Sequence, residues 1–451
     1  MKIQFLGATE TVTGSRYLIE TNQSKLLVDC GLFQGYKELR LRNWAPLAVN
    51  PATLDYVLLT HAHIDHSGYI PALVKNGFRG KIFCTDATLD LCRILLPDSG
   101  HLFEEEARYA NRHDYSKHHP ALPLYTRKEA EEALDYFHVV PEEKEIQIDE
   151  DLSATFYYAG HILGASFIRL EDKKTSVLFS GDLGRQSDPI MFPPKAPPKA
   201  DFLVIESTYG NRLHDSTDPM IKLKDTINRT IKRGGSVVIP SFAVGRTQSM
   251  LYYIHQLKTQ KQIPDIPVYV DSPMATNATK IFSKHATLNR LSPQEVKAIC
   301  AIAHYVNSVE ESIELDHQKM PVILISASGM ATGGRVVHHI RHFAPDHRNT
   351  ILFSGYQVPG TRGDRMIRGE KEVKMFGQMV QICAEVSAME NISAHADYNE
   401  MLQWLSYLNA PPQKVFLTHG NLESAQALKA KIEQRFHWDC QIPTYLSEVQ
   451  L

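Results

Sequence analysis

The sequence predicts an α/β protein of two domains, and three observations carry that expectation. Its 451 residues exceed the roughly 250–300 at which a single hydrophobic core usually stops growing, so two domains, in tandem or nested, are the natural division. Short apolar runs such as KLLVDCG, YVLLTH, TSVLFSGD and FLVIEST end in polar residues or glycine, the pattern of strands that deliver functional groups at their carboxyl ends. Between about residues 209 and 380, runs such as SVVIPSF, PVYVDSP, PVILISAS and TILFSGY alternate with amphipathic stretches such as MIKLKDTINRTIKR, which predicts a mostly parallel sheet.

Composition narrows the classes of function. The chain is 43% apolar and 22% charged, with no apolar run near the ~20 residues needed to cross a bilayer, so no membrane partner is expected. The start MKIQFLGATE enters a strand-like segment at once, without the marks of a secretory signal, and a cytoplasmic location is expected. Six cysteines, at 30, 84, 92, 300, 383 and 440, contain no C-x-x-C pair, which argues against a disulfide framework and against a cysteine zinc site. A formal net charge of −3 means that a phosphate-rich partner must be gripped locally, not by bulk charge. FPPKAPPKAD (192–201) can continue neither a helix nor a central strand and reads as an exposed connection.

The stretch LDYVLLTHAHIDHSGYIP (54–71) sets three histidines and an aspartate within six positions directly behind a strand. In a turn at the strand's end His61 and His63 can point together, while Asp65 and His66 lie one bend further and can face a second centre. Other ligand types recur at strand ends, each beside a glycine: His161 in YYAGHILGAS, Asp182 in VLFSGDLGR and His419 in KVFLTHGN. Two ions with about three protein ligands each and one bridging carboxylate need seven such groups. We therefore assign His61, His63 and His161 to a first metal, Asp65, His66 and His419 to a second, and Asp182 to the bridge. This donor set suits two zinc ions per chain, with manganese or iron as competitors. Asp29, in LLVDCGLFQG, is expected to orient a histidine or the bridging hydroxide and not to bind metal directly.

These motifs resemble those of the metallo-β-lactamase superfamily, whose αββα sandwich carries an H-x-H-x-D-H loop between its sheets. Three further stretches, FLVIESTYG with Glu206, NISAHADY with His395 and THGN with His419, resemble its β-CASP branch of nucleic-acid processing enzymes. In layout the chain is similar to short prokaryotic relatives of the endonuclease subunit of the pre-mRNA 3′-end cleavage complex. The resemblance implies that a second α/β domain interrupts the first, and no required ligand lies between residues 206 and 395. The expected division is 1–208 with 381–451 for the lactamase-like domain and 209–380 for the inserted β-CASP domain. The resemblance also implies RNA over DNA, because the last metal motif carries histidine in RNA-cleaving members.

The chemistry implied is hydrolysis of single-stranded RNA by a hydroxide bridging two metals, endonucleolytic, leaving 5′-phosphate and 3′-hydroxyl ends. His395 is the candidate acid for the leaving oxygen, and Glu206 would hold its tautomer. Helix-start patterns in SFAVGRTQSML and SASGMATGGRVVHHIRHF make Arg246, Ser328, Gly334 and Arg335 candidate phosphate contacts. His338, His339 and His342 are expected on a solvated or phosphate-facing helix edge, since no carboxylate lies near them in sequence. His118 and His119, in SKHHPALPLYTRKEAEEAL, read as loop residues, and YQVPGTRGDR (356–365) resembles a β-CASP segment without a catalytic role. Two rival readings stand beside this one: a thioester or lactone hydrolase of the same superfamily, and a noncatalytic RNA-binding scaffold. The sequence leaves a homodimer open.

Overall fold

A computed structural model describes the chain apart from Tyr115, Lys117, Lys319, Tyr356 and the side chain of Glu390. Two of these, Lys117 and Tyr356, belong to stretches singled out above and lie outside the described residues. Packing divides the chain into two units, Met1–Leu213 with His395–Leu451, and His214–Ala394.

The first unit holds two seven-stranded sheets. One runs, from edge to edge, through Glu448–Gln450, Lys2–Phe5, Tyr17–Glu20, Lys25–Val28, Tyr56–Leu58, Lys81–Cys84 and Phe137–Val139. The other runs through Cys440–Gln441, Lys414–Thr418, Phe202–Glu206, Ser176–Phe179, Ser166–Glu171, Ser153–Tyr158 and Glu145–Gln147. Alternating apolar positions from both sheets meet in one core. Phe5, Ile19 and Val28 come from the first, and Phe156, Ile168, Val177 and Phe416 from the second. Phe5, Phe156 and Phe416 are fully buried, each stabilising the sandwich by about 1.5–3 kcal/mol relative to an exposed ring. Helix Asp86–His113 packs on strand Phe137–Val139, and helix Leu422–Phe436 on Lys414–Thr418.

Each sheet is half antiparallel and half parallel, and the parallel halves position the site. Lys25–Val28, Tyr56–Leu58 and Lys81–Cys84 pair in parallel, as do Ser176–Phe179, Phe202–Glu206 and Lys414–Thr418. Registers Val28↔Leu58 and Glu206↔Thr418 bring the ends of neighbouring strands level, so the residues that follow them emerge together.

In the second unit, six parallel strands lie in the order His304–Val306, Val268–Asp271, Ile323–Ser326, Val237–Pro240, Thr350–Phe353 and Glu385–Ala388. The central strands VVIP, ILIS and TILF are buried throughout, as expected for a parallel sheet. Crossover helices start at clear signals. Asp218 caps Pro219–Lys232, and Ser292 with Glu295 and Ser308 with Glu311 form capping boxes for Pro293–Ala301 and Val309–Asp316. The sequence reading placed the second junction at 380/381, but strand Glu385–Ala388 pairs with Thr350–Phe353, so the inserted unit runs to Ala394. That strand, EVSA, has no apolar run to announce it.

Candidate metal centre

All seven ligand candidates follow strands of the first unit. His61, His63, Asp65 and His66 follow Tyr56–Leu58, His161 follows Ser153–Tyr158, Asp182 follows Ser176–Phe179, and His419 follows Lys414–Thr418. Two of the bordering glycines do supply the turn, Gly160 at φ 73° and Gly181 at φ 51°. The third case differs. His419 itself takes the left-handed conformation (φ 48°), while Gly420 is needed because a Cβ there would come 2.2 Å from Ser207 Oγ.

The side chains converge in two groups. In the first, His61 Nε2 lies 3.1 Å from His63 Nδ1, His161 Nε2 lies 3.2 Å from the same atom, and both Nε2 atoms lie 3.4 Å from Asp182 Oδ2. In the second, His66 Nε2 and His419 Nε2 stand 3.2 and 3.5 Å from Asp182 Oδ1, and His419 Nε2 stands 3.8 Å from Asp65 Oδ2. Asp182 thus turns one oxygen to each group. A tetrahedral ion bound at about 2.0–2.1 Å separates its ligand atoms by roughly 3.3–3.4 Å, which is the spacing of the first group and close to that of the second. His61, His66, His161, Asp182 and His419 are all at most 3% exposed.

Outer partners aim three of these rings. Asp29 Oδ2 lies 2.7 Å from His66 Nδ1, and its Oδ1 accepts from Thr60 N–H (2.8 Å) and Thr60 Oγ1 (2.9 Å). Thr60 Oγ1 in turn meets His61 Nδ1 at 3.0 Å, and Ser15 Oγ meets His419 Nδ1 at 2.9 Å. Each contact occupies Nδ1 and leaves Nε2 facing inward. Sequence reasoning missed Thr60 and Ser15, because a hydroxyl beside a strand carries no pattern of its own; the one signal was the adjacency of Thr60 to His61.

Electrostatics is unbalanced without a cation. Burial drives the His63 pKa well below 6.5, helped by His61, and burial does the same to His161, helped by His395. Burial opposes charge on Asp182 as well, yet His419, His66 and His395 hold its pKa well below the usual carboxylate range. His66 is raised well above 6.5 by Asp182 and Asp29 against the penalty of burial. Among the described residues, Asp182 Oδ1 and His161 Nδ1 are buried without a hydrogen-bond partner. The His63 and His161 imidazoles, held neutral by burial and turned toward the ionised Asp182, fit a divalent metal site.

Beside this pocket Glu206 Oε1 accepts from Leu183 N–H (2.6 Å), and Glu206 Oε2 lies 3.1 Å from His395 Nδ1. His395 Nδ1 is 3.9 Å from Asp182 Oδ2. Burial lowers the His395 pKa, but Glu206 and Asp182 outweigh it and raise the value above 6.5.

Comparison with known proteins places the chain in a family. Residues 11–82 match the metallo-beta-lactamase superfamily, 247–366 the Beta-Casp domain and 379–443 the Zn-dependent metallo-hydrolase RNA specificity domain. Ribonuclease TTHA0252 of Thermus thermophilus is 33% identical over 438 residues, covering 95% of each chain. The protein belongs to the β-CASP ribonuclease branch of the metallo-β-lactamase superfamily. Transcription termination factor FttA of Methanosarcina mazei is 30% identical across this whole chain and 72% of its own length, and an RNase J-like protein of Methanocaldococcus jannaschii is 30% identical over 93% and 92%. A solved structure of a protein of unknown function from Enterococcus faecalis shares the fold, with TM-score 0.54, 13% identity and coverage of 100% and 99%. As a β-CASP family member the protein is a metal-dependent hydrolase, a nuclease that acts on RNA. Among the described residues no helix is long and apolar enough to cross a membrane.

Within the β-CASP unit the predicted phosphate contacts fare unequally. Gly334 (φ 74°) precedes helix Arg335–Phe343, and Ser328 Oγ accepts from Thr332 N–H at 3.1 Å in the loop before it. Arg246 opens helix Arg246–Thr259. Arg335 is committed elsewhere. Its guanidinium donates to Asp271 Oδ1 (2.6 Å) and to the Asn307 carbonyl (2.8 Å). The expectation for His339 is overturned: it is fully buried, with Nε2 2.6 Å from Asp271 Oδ2 and Nδ1 2.7 Å from Asp316 Oδ1. Its carboxylates come from other elements, which is why none appeared near it in sequence. His338 and His342 are exposed.

Proposed function

We propose that the protein is a dizinc endoribonuclease that cleaves single-stranded RNA to 5′-phosphate and 3′-hydroxyl ends. The observation that supports this most is the pairing of two candidate ligand groups on the two oxygens of Asp182, at spacings near those that tetrahedral coordination requires. His61, His63 and His161 would hold one ion and Asp65, His66 and His419 the other, with Asp182 shared. When bound, such a pair supplies an acidified water as nucleophile and positive charge for the phosphoryl oxygens.

The protein's own groups do the rest. Asp29, Thr60 and Ser15 fix the tautomers of His66, His61 and His419, so each presents Nε2. Glu206, held by Leu183 N–H, accepts from His395 Nδ1 and keeps the ring protonated, and His395 Nε2 then delivers the proton to the departing 3′ oxygen. His395 has 16% of its side chain exposed against at most 4% for His61, His66, His161 and His419, which suits a group that must meet substrate. Arg246, Ser328 and the backbone at Gly334 are the proposed phosphate contacts. The reaction consumes water and needs no 2′-hydroxyl, so preference for RNA must come from contacts beyond the metals.

Product mapping tests the reading. Zinc-loaded protein should open a circular RNA and cut 5′-labelled RNA internally, leaving downstream fragments whose 5′-phosphate ligates to a 3′-hydroxyl acceptor and upstream fragments whose 3′-hydroxyl ligates to a 5′-phosphate donor. A protein that trims linear RNA from one end and leaves circles intact is an exonuclease, and the endonucleolytic part of the proposal fails.

A further inference from the structure

After strand Lys25–Val28 the chain makes an excursion whose two ends meet at Phe33 and Asn43. Phe33 N–H donates to Asn43 Oδ1 (2.9 Å) and Asn43 Nδ2 donates to the Phe33 carbonyl (2.8 Å), closing the excursion. Buried Arg16 grips both ends, through Nη2 to Asn43 Oδ1 (3.2 Å) and Nε to the Gly31 carbonyl (2.8 Å). The base of the loop is bonded to the backbone of the ligand loop, with Cys30 N–H donating to the His66 carbonyl (2.7 Å) and Leu32 N–H to the Ile64 carbonyl (2.9 Å). Ends fixed in this way make the loop a rigid platform rooted beside the candidate metal centre.

Its outer face is unusual for a solvated surface. Tyr36, Leu41 and Trp44 are 50%, 55% and 56% exposed. Trp44 N–H donates to the Leu41 carbonyl at 3.1 Å, which sets the two side chains on one helical turn. Lys37 and Arg40 stand exposed between the aromatics, and the Arg42 guanidinium stacks on Tyr445, 4.1 Å from its centroid, and on Phe33 at 5.3 Å. Three cations against the single carboxylate of Glu38 make this segment positive in a chain whose net charge is −3.

Exposed rings interleaved with cations are what a single-stranded nucleic acid requires: bases stack on the rings while Lys and Arg follow the phosphates. An apolar protein contact would gain nothing from Lys37 and Arg40, and a duplex would offer no base faces to Trp44. We infer that residues 34–44 form a stacking platform for single-stranded RNA flanking the scissile bond. Trp44 and Tyr36 take bases, and Lys37 and Arg40 neutralise phosphates. The inference rests on the ribonuclease reading and adds to it a segment of substrate held away from the reacting phosphate.

Steady-state kinetics of the zinc-loaded full chain on an RNA oligomer, run in parallel with turnover of bis(p-nitrophenyl) phosphate, separates the two. Trp44→Ala and Tyr36→Ala should each raise KM for RNA by about 5- to 150-fold, the scale of one lost base stack, while kcat and turnover of the small diester stay as in the parent. Lys37→Gln with Arg40→Gln should flatten the dependence of log(kcat/KM) on log salt by roughly 0.7 per lost phosphate contact. If all these variants keep the parental KM and salt dependence, the platform is wrong although the protein is a ribonuclease. If Trp44→Ala alters only the sedimentation of the protein, the face is a contact between copies and the platform is likewise rejected. Turnover of the small diester with no RNA cleavage by the parent would remove the ribonuclease reading itself, and the platform with it.

Discussion

Two clusters in the protein bury histidines among carboxylates, and they are built on opposite plans. In the second unit each nitrogen of His339 meets its own carboxylate oxygen, Asp271 at 2.6 Å and Asp316 at 2.7 Å, and Arg335 and Ser312 complete Asp271 at 2.6 and 2.5 Å. In the first unit His61, His63 and His161 turn nitrogens toward one another at 3.1 and 3.2 Å, and Asp182 turns one oxygen to each ligand group. One cluster is closed by its own protons. The other turns its nitrogens and carboxylate oxygens toward shared centres. Burial is nearly complete in both, so the direction of the lone pairs, not depth, distinguishes a structural ion-pair network from a candidate metal site.

Removing the shared carboxylate should break the comparison most severely. Asp182→Ala removes the carboxylate whose two oxygens face both groups, and RNA cleavage is expected to fall by more than the roughly 10³-fold that losing a single electrostatic contact costs. Metal analysis of the purified variant should show fewer than two ions per chain. Full occupancy with full activity would mean that the two groups are not joined through Asp182.

His395→Ala comes next. As the proton donor it should take roughly 10²- to 10⁴-fold from kcat while metal content stays at the parental level. His395 also forms a potential metal-binding trio with Asp182 and Glu206, so loss of an ion from this variant would make it a ligand.

The sequence made one of these clusters visible and hid the other. His61 to His66 are packed into six positions behind a strand, and His161, Asp182 and His419 each sit just past the carboxyl end of an apolar run, the pattern that announces functional groups at strand ends. Asp271, Asp316 and His339 stand on a strand end, a helix end and a helix interior, separated by 45 and 23 positions, and nothing local links them. Thr60 and Ser15 stayed hidden for another reason: hydroxyls are common and become orienting groups only when a ring nitrogen arrives within 3.0 Å. The late strand Glu385–Ala388 escaped because half-exposed EVSA reads as loop, which moved the expected junction 14 residues early.

Ser15 offers a smaller and sharper test of how the open cluster is aimed. Ser15→Ala removes the partner of His419 Nδ1 and should weaken the second ion by roughly 10- to 100-fold, the scale for an outer partner of a ligating histidine. Titration of the metal-free protein with cobalt, followed by absorption, should then show two separated binding steps where the parent shows closer ones. Ser15→Thr keeps the hydroxyl and should restore the parental titration. Weakening of both steps alike would indicate general disturbance of the fold instead.

The closed cluster should respond to protons where the open one responds to metal. Burial opposes charge on His339, but hydrogen bonds to Asp271 and Asp316 raise its pKa above 6.5. Its contribution to stability is therefore complete below about pH 6.5 and is lost as pH rises through the folded-state value. Asp271 runs the other way. Burial works against its charge, but His339, Ser312 and Arg335 lower its pKa below 3.8, so its contribution is present above that pH and lost as pH falls through the folded-state value. Urea unfolding of the second unit's transition should thus be most resistant between these limits, with a slope on the alkaline side of at most about 1.4 kcal/mol per pH unit for the one proton His339 releases. His339→Gln should abolish that slope and leave zinc stoichiometry untouched. A slope that survives the substitution would place the titrating group elsewhere and leave the Asp271–His339–Asp316 array as packing alone.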